Sequence, residues 1–200
     1  MTSDEPPELT DEFVMAQWAR MAPVFDNVVR RIDDPDDFVV EPRSQLAGDD
    51  ADSDPYQVSH CARACLNAGV DHLHTAKTLL IDMRLVHAAG DYSLIRGALE
   101  NFATAFWVLH PPQRSVRVQH ALRWMVKNFK DQDKATADLG LPNYRPVDDN
   151  VGTVVAIAER ARCDTSKLRA GYASTPVLQY AEEHSTATES PRRVRTLHFF

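Results

Sequence analysis

The stretch SLIRGALENFATAFWVLHPP, residues 93–112, decides the fold class. Between Leu94 and Leu109 nearly every position is apolar or small, which marks a helix surrounded by other elements on most of its sides. Pro111-Pro112 ends it, because a residue that precedes proline is pushed out of helical geometry. Arg96 and Glu100 interrupt the apolar run, which is also too short to cross a bilayer core of about 30 Å. A central helix of a water-soluble bundle is therefore expected, with its neighbours on either side in the chain.

Those neighbours read as helices too. Asp54-Pro55 is a start signal, a capping aspartate followed by proline, and apolar residues recur from Leu66 through Val86 until Ala88-Ala89-Gly90. Asp91 begins the central helix. Pro112 opens a long helix reaching Leu139-Gly140, and Leu141–Val147 with its two prolines is a loop. Asp148 or Asp149 caps a shorter helix to about Arg162, and Thr175-Pro176 and Ser190-Pro191 start two more. Upstream, Thr10 caps a helix whose stripe is Phe13, Val14, Trp18, Met21, Phe25, Val28, Val29 and Ile32, with a kink expected at Pro23. No strand-like alternation, repeat or sustained heptad appears. The expectation is an all-α protein, an irregular helical bundle of about six helices with its core at 55–140. Residues 1–8 are expected to be disordered, and 9–200 to form a single helical domain.

Two hundred residues suit one domain, and seven glycines are too few for a turn-rich β-fold or a phosphate-cradling loop. The net charge of −7 is unevenly spread. Residues 33–54 hold nine acids against Arg43 alone, so the rest of the chain is near neutral with an acidic loop attached. Arginine outnumbers lysine seventeen to five, which fits a coding bias. Cys61, Cys65 and Cys163 form no disulfide framework, and the N-terminus lacks an apolar signal segment; both point to the cytoplasm.

Four groups of residues carry candidate chemistry. Helical spacing brings Arg96, Glu100, Trp107 and His110 near one line of the central helix, a candidate binding site or a partly desolvated ion pair that fixes helix register. Cys61, Cys65 and His72 share a stripe, but the axial rise of about 10.5 Å from Cys65 to His72 is too long for one metal ion. Asp71-x-x-His74 lacks the second motif and extra glutamates of a di-iron bundle. No metal and no cofactor are expected. Finally, Arg117, Arg123, Lys127 and Lys134 lie on adjacent faces of the helix that follows Pro112, with Trp124 and Asn128 among them. They are either a nucleic-acid surface or a solvated helix face, and the acidic loop is a candidate cover for it.

Arg96, Glu100 and Trp107 in an Ala/Leu-rich helix, then a proline stop and an Arg-rich helix, resemble all-α bacterial proteins grouped near the HEPN (higher eukaryotes and prokaryotes nucleotide-binding) domains. The resemblance covers roughly residues 60–135. It implies an Arg-x4-6-His ribonuclease motif, which Arg114 with His120, Arg193 with His198 and Arg192 with His198 match in spacing. No nucleotide-binding loop, nucleophile elbow or paired-cysteine motif is present. The leading expectation is a non-catalytic helical bundle acting through protein association, a homodimer or a complex with another protein, without membrane contact. The alternative is a HEPN-like RNA-binding or RNA-cleaving toxin or defence factor.

Overall fold

The structure, a computed structural model, describes residues 10–32, 34, 37–136, 139, 146–169 and 171–185. Seven α-helices follow one another within them: α1 (Asp11–Ile32), α2 (Gln45–Ser53), α3 (Val58–Lys77), α4 (Ala88–Leu109), α5 (Arg114–Thr136), α6 (Val147–Arg160) and α7 (Ser174–His184). One π-helical turn, Thr78–Asp82, extends α3, and a short 3-10 turn at Thr165–Lys167 lies between α6 and α7. No described residue is in a strand. The fold is an all-α bundle. The expected N-terminal disorder, the Ser190-Pro191 helix and the Arg192, Arg193 and His198 matches lie outside the described residues.

α3 and α4 form an antiparallel hairpin whose close approach depends on two glycines. A Cβ at Gly69 would stand 2.8 Å from the Phe102 ring, and one at Gly97 would stand 2.8 Å from the His72 ring. Around this hairpin the core draws Val58 and Cys61 from α3, Trp107 and Val108 from α4, and Val118, Leu122 and Val126 from α5. It extends beyond the expected 55–140. Val151, Val154, Ile157 and Ala158 make one buried stripe of α6, and Leu168 and Val177 complete the cluster. Spacing of three to four residues puts that α6 stripe on a single face.

Several helix starts differ from expectation. α6 begins at Val147, with Asp148 and Asp149 inside its first turn, and at α2, α3 and α4 a nearby side chain accepts from a backbone amide at the new boundary. Part of the acidic loop, Gln45–Ser53, is helical: Ser44 Oγ accepts from the Ala47 amide and caps α2. Asp54 therefore ends α2, and α3 starts at Val58, where Asp50 Oδ1 accepts from the Ser59 amide at 2.8 Å. The helix expected to run up to Ala88-Ala89-Gly90 ends earlier, at Asp82, and Ala88, Ala89 and Gly90 become the first turn of α4. Asp91 Oδ2 reaches back to accept from the His87 amide at 2.9 Å.

α1 runs through Pro23 as one helix. None of its residues is buried, and Val14 and Met21 of the expected stripe are exposed. α1 thus rests on α3 and the π-helical turn from outside, tied in part by Lys77, which bonds Asp26 at 3.3 Å and Asp82 at 3.2 Å.

Candidate functional site

α5 was expected to show a basic face, and the structure distributes its cations differently. Arg117 is buried. It precedes Val118 and stands one turn before Ala121, on the side of α5 that enters the core, which is the signal that places it inside. Its Nε donates to Asp49 Oδ2 at 2.6 Å and its Nη2 donates to Asp49 Oδ1 at 2.8 Å, while Nη1 donates to the Pro111 and Pro112 carbonyls. Asp49 has no solvent exposure. The guanidinium thus staples the acidic segment to the α4–α5 corner, and four of its five donors are spent within the chain. Arg114 adds a second, half-exposed contact to Asp49 at 3.5 Å and to Asp52 at 3.6 Å.

Arg123 is also committed. It lies 5.3 Å from the Trp107 ring centroid and its Nε donates to the Gly171 carbonyl. Lys127 bonds Asp131 one turn on, and Lys134 is the exposed member of the four expected nucleic-acid residues. The acidic segment does cover part of α5. A continuous basic surface over Arg117, Arg123, Lys127 and Lys134 does not form.

Arg114 and His120 are likewise not brought together. Arg114 faces α2, whereas the His120 ring stacks on Trp107, with centroids 3.7 Å apart. The Trp107 carbonyl accepts from His120 Nδ1 at 2.7 Å, which fixes the proton on that nitrogen. Burial, opposed by this bond and aided by the positive Arg123 and Lys167, holds the imidazole down at about 4.

The four residues aligned on α4 divide between two environments. Arg96 Nε donates to Glu100 at 2.9 Å, and Arg96 also bonds Tyr92, but the Arg96 side chain is 59% exposed. The expected contact forms, with Glu100 29% exposed, so the pair is partly desolvated on the Glu100 side and open to water on the Arg96 side; a pair this exposed contributes only about 1 kcal/mol or less. Trp107 turns into the core. His110 faces α7, where its Nδ1 and the Tyr180 hydroxyl share a hydrogen bond of 2.8 Å and its ring stacks on Phe106. His110 also borders a cavity of about 240 Å³ lined by Leu46, Asp49, Leu109, Pro111, Pro112 and Arg117, among others.

The π-helical turn is followed by an apolar surface. Met83, Leu85 and Val86 are exposed there, and on α4 Tyr92, Ile95 and Leu99 continue it at helical spacing, with Leu99 58% exposed. α7 and the residues just before it cover the far half of α4, with Tyr172 bonding Thr104 and Tyr180 bonding His110, and among the described residues the apolar side chains of the near half stay exposed.

Cys61 and Cys65 are buried free thiols, and contact with Cys65 together with burial raises the Cys61 thiol well above its ordinary value. Burial raises Cys163 to about 11. A thiol reagent at neutral pH is accordingly expected to modify Cys163 roughly a hundredfold more slowly than a free cysteine. Cys61 and Cys65 should react only on unfolding, as a mass-resolved time course in and out of urea will show. Rapid native labelling of Cys61 would contradict this placement.

Among the described residues no three or more His, Cys, Asp or Glu side chains gather as a metal cluster, and no helix is long and apolar enough to cross a membrane. No family model, no curated protein and no solved structure matches the chain.

Proposed function

We propose that this chain acts by association, as a homodimer in a reducing compartment such as the cytoplasm, with the open half of α4 as its contact surface. The observation that supports the reading is the apolar stripe Tyr92, Ile95 and Leu99, left exposed on a mostly apolar helix and continued by Met83, Leu85 and Val86. Single exposed apolar residues are ordinary, but a contiguous patch with polar residues at its edge marks an interaction site. Arg96 and Glu100 supply that edge.

The patch also suits a second copy of itself. A two-fold interface requires that residue i meet j while j meets i. Two antiparallel α4 helices place Arg96 of each copy beside Glu100 of the other, so opposite charges one turn apart make the face self-complementary. Arg117, by contrast, is buried with four of its five donors spent within the chain and offers little to a substrate.

The test is sedimentation velocity over a range of protein concentrations, with Ile95→Asp/Leu99→Asp beside the parent chain. The parent should sediment as a dimer. Loss of two central apolar anchors should weaken association by at least about 100-fold, as at other hot spots. Both side chains are exposed, so the circular-dichroism signal should be unchanged. A parent chain that stays monomeric at every concentration overturns the proposal.

A further inference from the structure

α4 and α7 both end at one corner of the bundle, and each ends on a histidine, His110 as the cap of α4 and His184 as the last residue of α7. Their ring centroids lie 5.5 Å apart. Tyr180 organises the pair. Its hydroxyl shares a hydrogen bond with His110 Nδ1, its carbonyl accepts from His184 Nδ1 at 2.9 Å, and its ring stacks on that of His184 at 4.1 Å. A carbonyl only accepts, so the neutral tautomer this bond selects has its proton on Nδ1 and its lone pair on Nε2. The Tyr180 hydroxyl can accept as well as donate, so His110 can take the same form. Phe106 stacked on His110 steadies that ring.

We propose that His110 and His184 form a two-histidine site for an imidazole-preferring divalent transition ion such as Zn²⁺, through their Nε2 atoms and with water completing the coordination. Three observations converge on this. Two imidazoles on one ion, each at about 2.0–2.1 Å, have ring centres separated by roughly 5–6 Å, as here. The Nδ1 atoms are already held by oxygen partners, the arrangement that orients metal-bound histidines. The C-terminal ends of two helices carry partial negative charge, which favours a cation between them, and Glu183 adds a formal charge in the last turn of α7. Tyr180 is a positioning residue here, because it acts through the rings it holds. The site is independent of the proposed dimer face on the other half of α4.

The experiment titrates the full chain with Zn²⁺ alone, following imidazole nitrogens by long-range ¹H–¹⁵N spectra and affinity by calorimetry. The first equivalent should shift His110 and His184 together. His110→Gln and His184→Gln should each weaken binding by at least roughly tenfold, and Tyr180→Phe, which keeps both imidazoles, by about tenfold. His184 is exposed and Tyr180 half-buried, so circular dichroism of the metal-free variants should match the parent. First-equivalent shifts confined to other histidines, or unchanged affinity in His184→Gln, would overturn the assignment. The spectra of the parent chain decide the matter even where a variant fails to fold.

Discussion

Arg117→Ala should lower the free energy of unfolding by about 3–5 kcal/mol, the size typical of breaking one partner of a buried ion pair. The loss arises less from the attraction removed than from what is left behind. Asp49, with no solvent exposure, would keep only the longer contact to Arg114, and the Pro111 and Pro112 carbonyls would lose their donor. Whole-domain stabilities lie near 5–15 kcal/mol, so the variant should be close to the limit of folding at 37 °C. Urea denaturation reads the effect as a fall in midpoint at constant slope. Asp49→Ala should cost a similar amount by stranding Arg117. Replacing both with apolar residues of matched volume should cost much less than the sum, because neither charge is then left unpaired. Additive losses would mean that the pair is not the staple described above.

The second large effect is a loss of stability in acid traceable to His120. Its folded-state value of about 4 lies below the ordinary 6.5, so the unfolded chain binds this proton first. Stability contributed by the neutral imidazole is complete above about pH 6.5 and is lost as pH falls from there towards 4. The full span amounts to about 3 kcal/mol. Below pH 4 both states are protonated and this contribution stops changing. Unfolding free energies from denaturant titrations at pH 7, 6, 5 and 4 should show the decline, and His120→Gln should remove this part of the slope even though it costs stability at pH 7. An identical pH slope in parent and variant would refute the assignment to His120.

Both effects depend on residues that the sequence offered as candidates for chemistry and that the folded chain uses for packing. The central helix was legible because its apolar run is long and Pro111-Pro112 ends it unambiguously. Position 117 was legible in part: its place beside Val118 and Ala121 marks the buried side of α5, although its charge suggested solvent. α2 was not legible. The segment QLAGDDADS has no apolar stripe, and what fixes it is Arg117 and the Ser59 amide, both outside the segment. The His110–His184 pair is invisible for a related reason, since no local spacing relates a helix cap to a side chain 74 residues later, and only the packing of α7 on α4 makes them neighbours. Periodicity reports which face a helix buries; it does not report which polar groups meet across that face.

The acidic segment is gripped from several directions by arginines. Arg31 of α1 bonds Asp37, Arg63 of α3 donates to the Phe38 carbonyl, Arg114 and Arg117 of α5 reach Asp49, and Arg160 of α6 donates to the Asp54 carbonyl. The excess of arginine over lysine, which from the sequence alone fits a coding bias, has a structural counterpart here. A guanidinium reaches two oxygens of one carboxylate and a carbonyl beyond it in a single plane, whereas an ammonium is a compact point charge. Arginine and lysine are therefore not interchangeable along this seam: a substitution that conserves every charge at Arg117 still dismantles the joint between α2 and the α4–α5 corner.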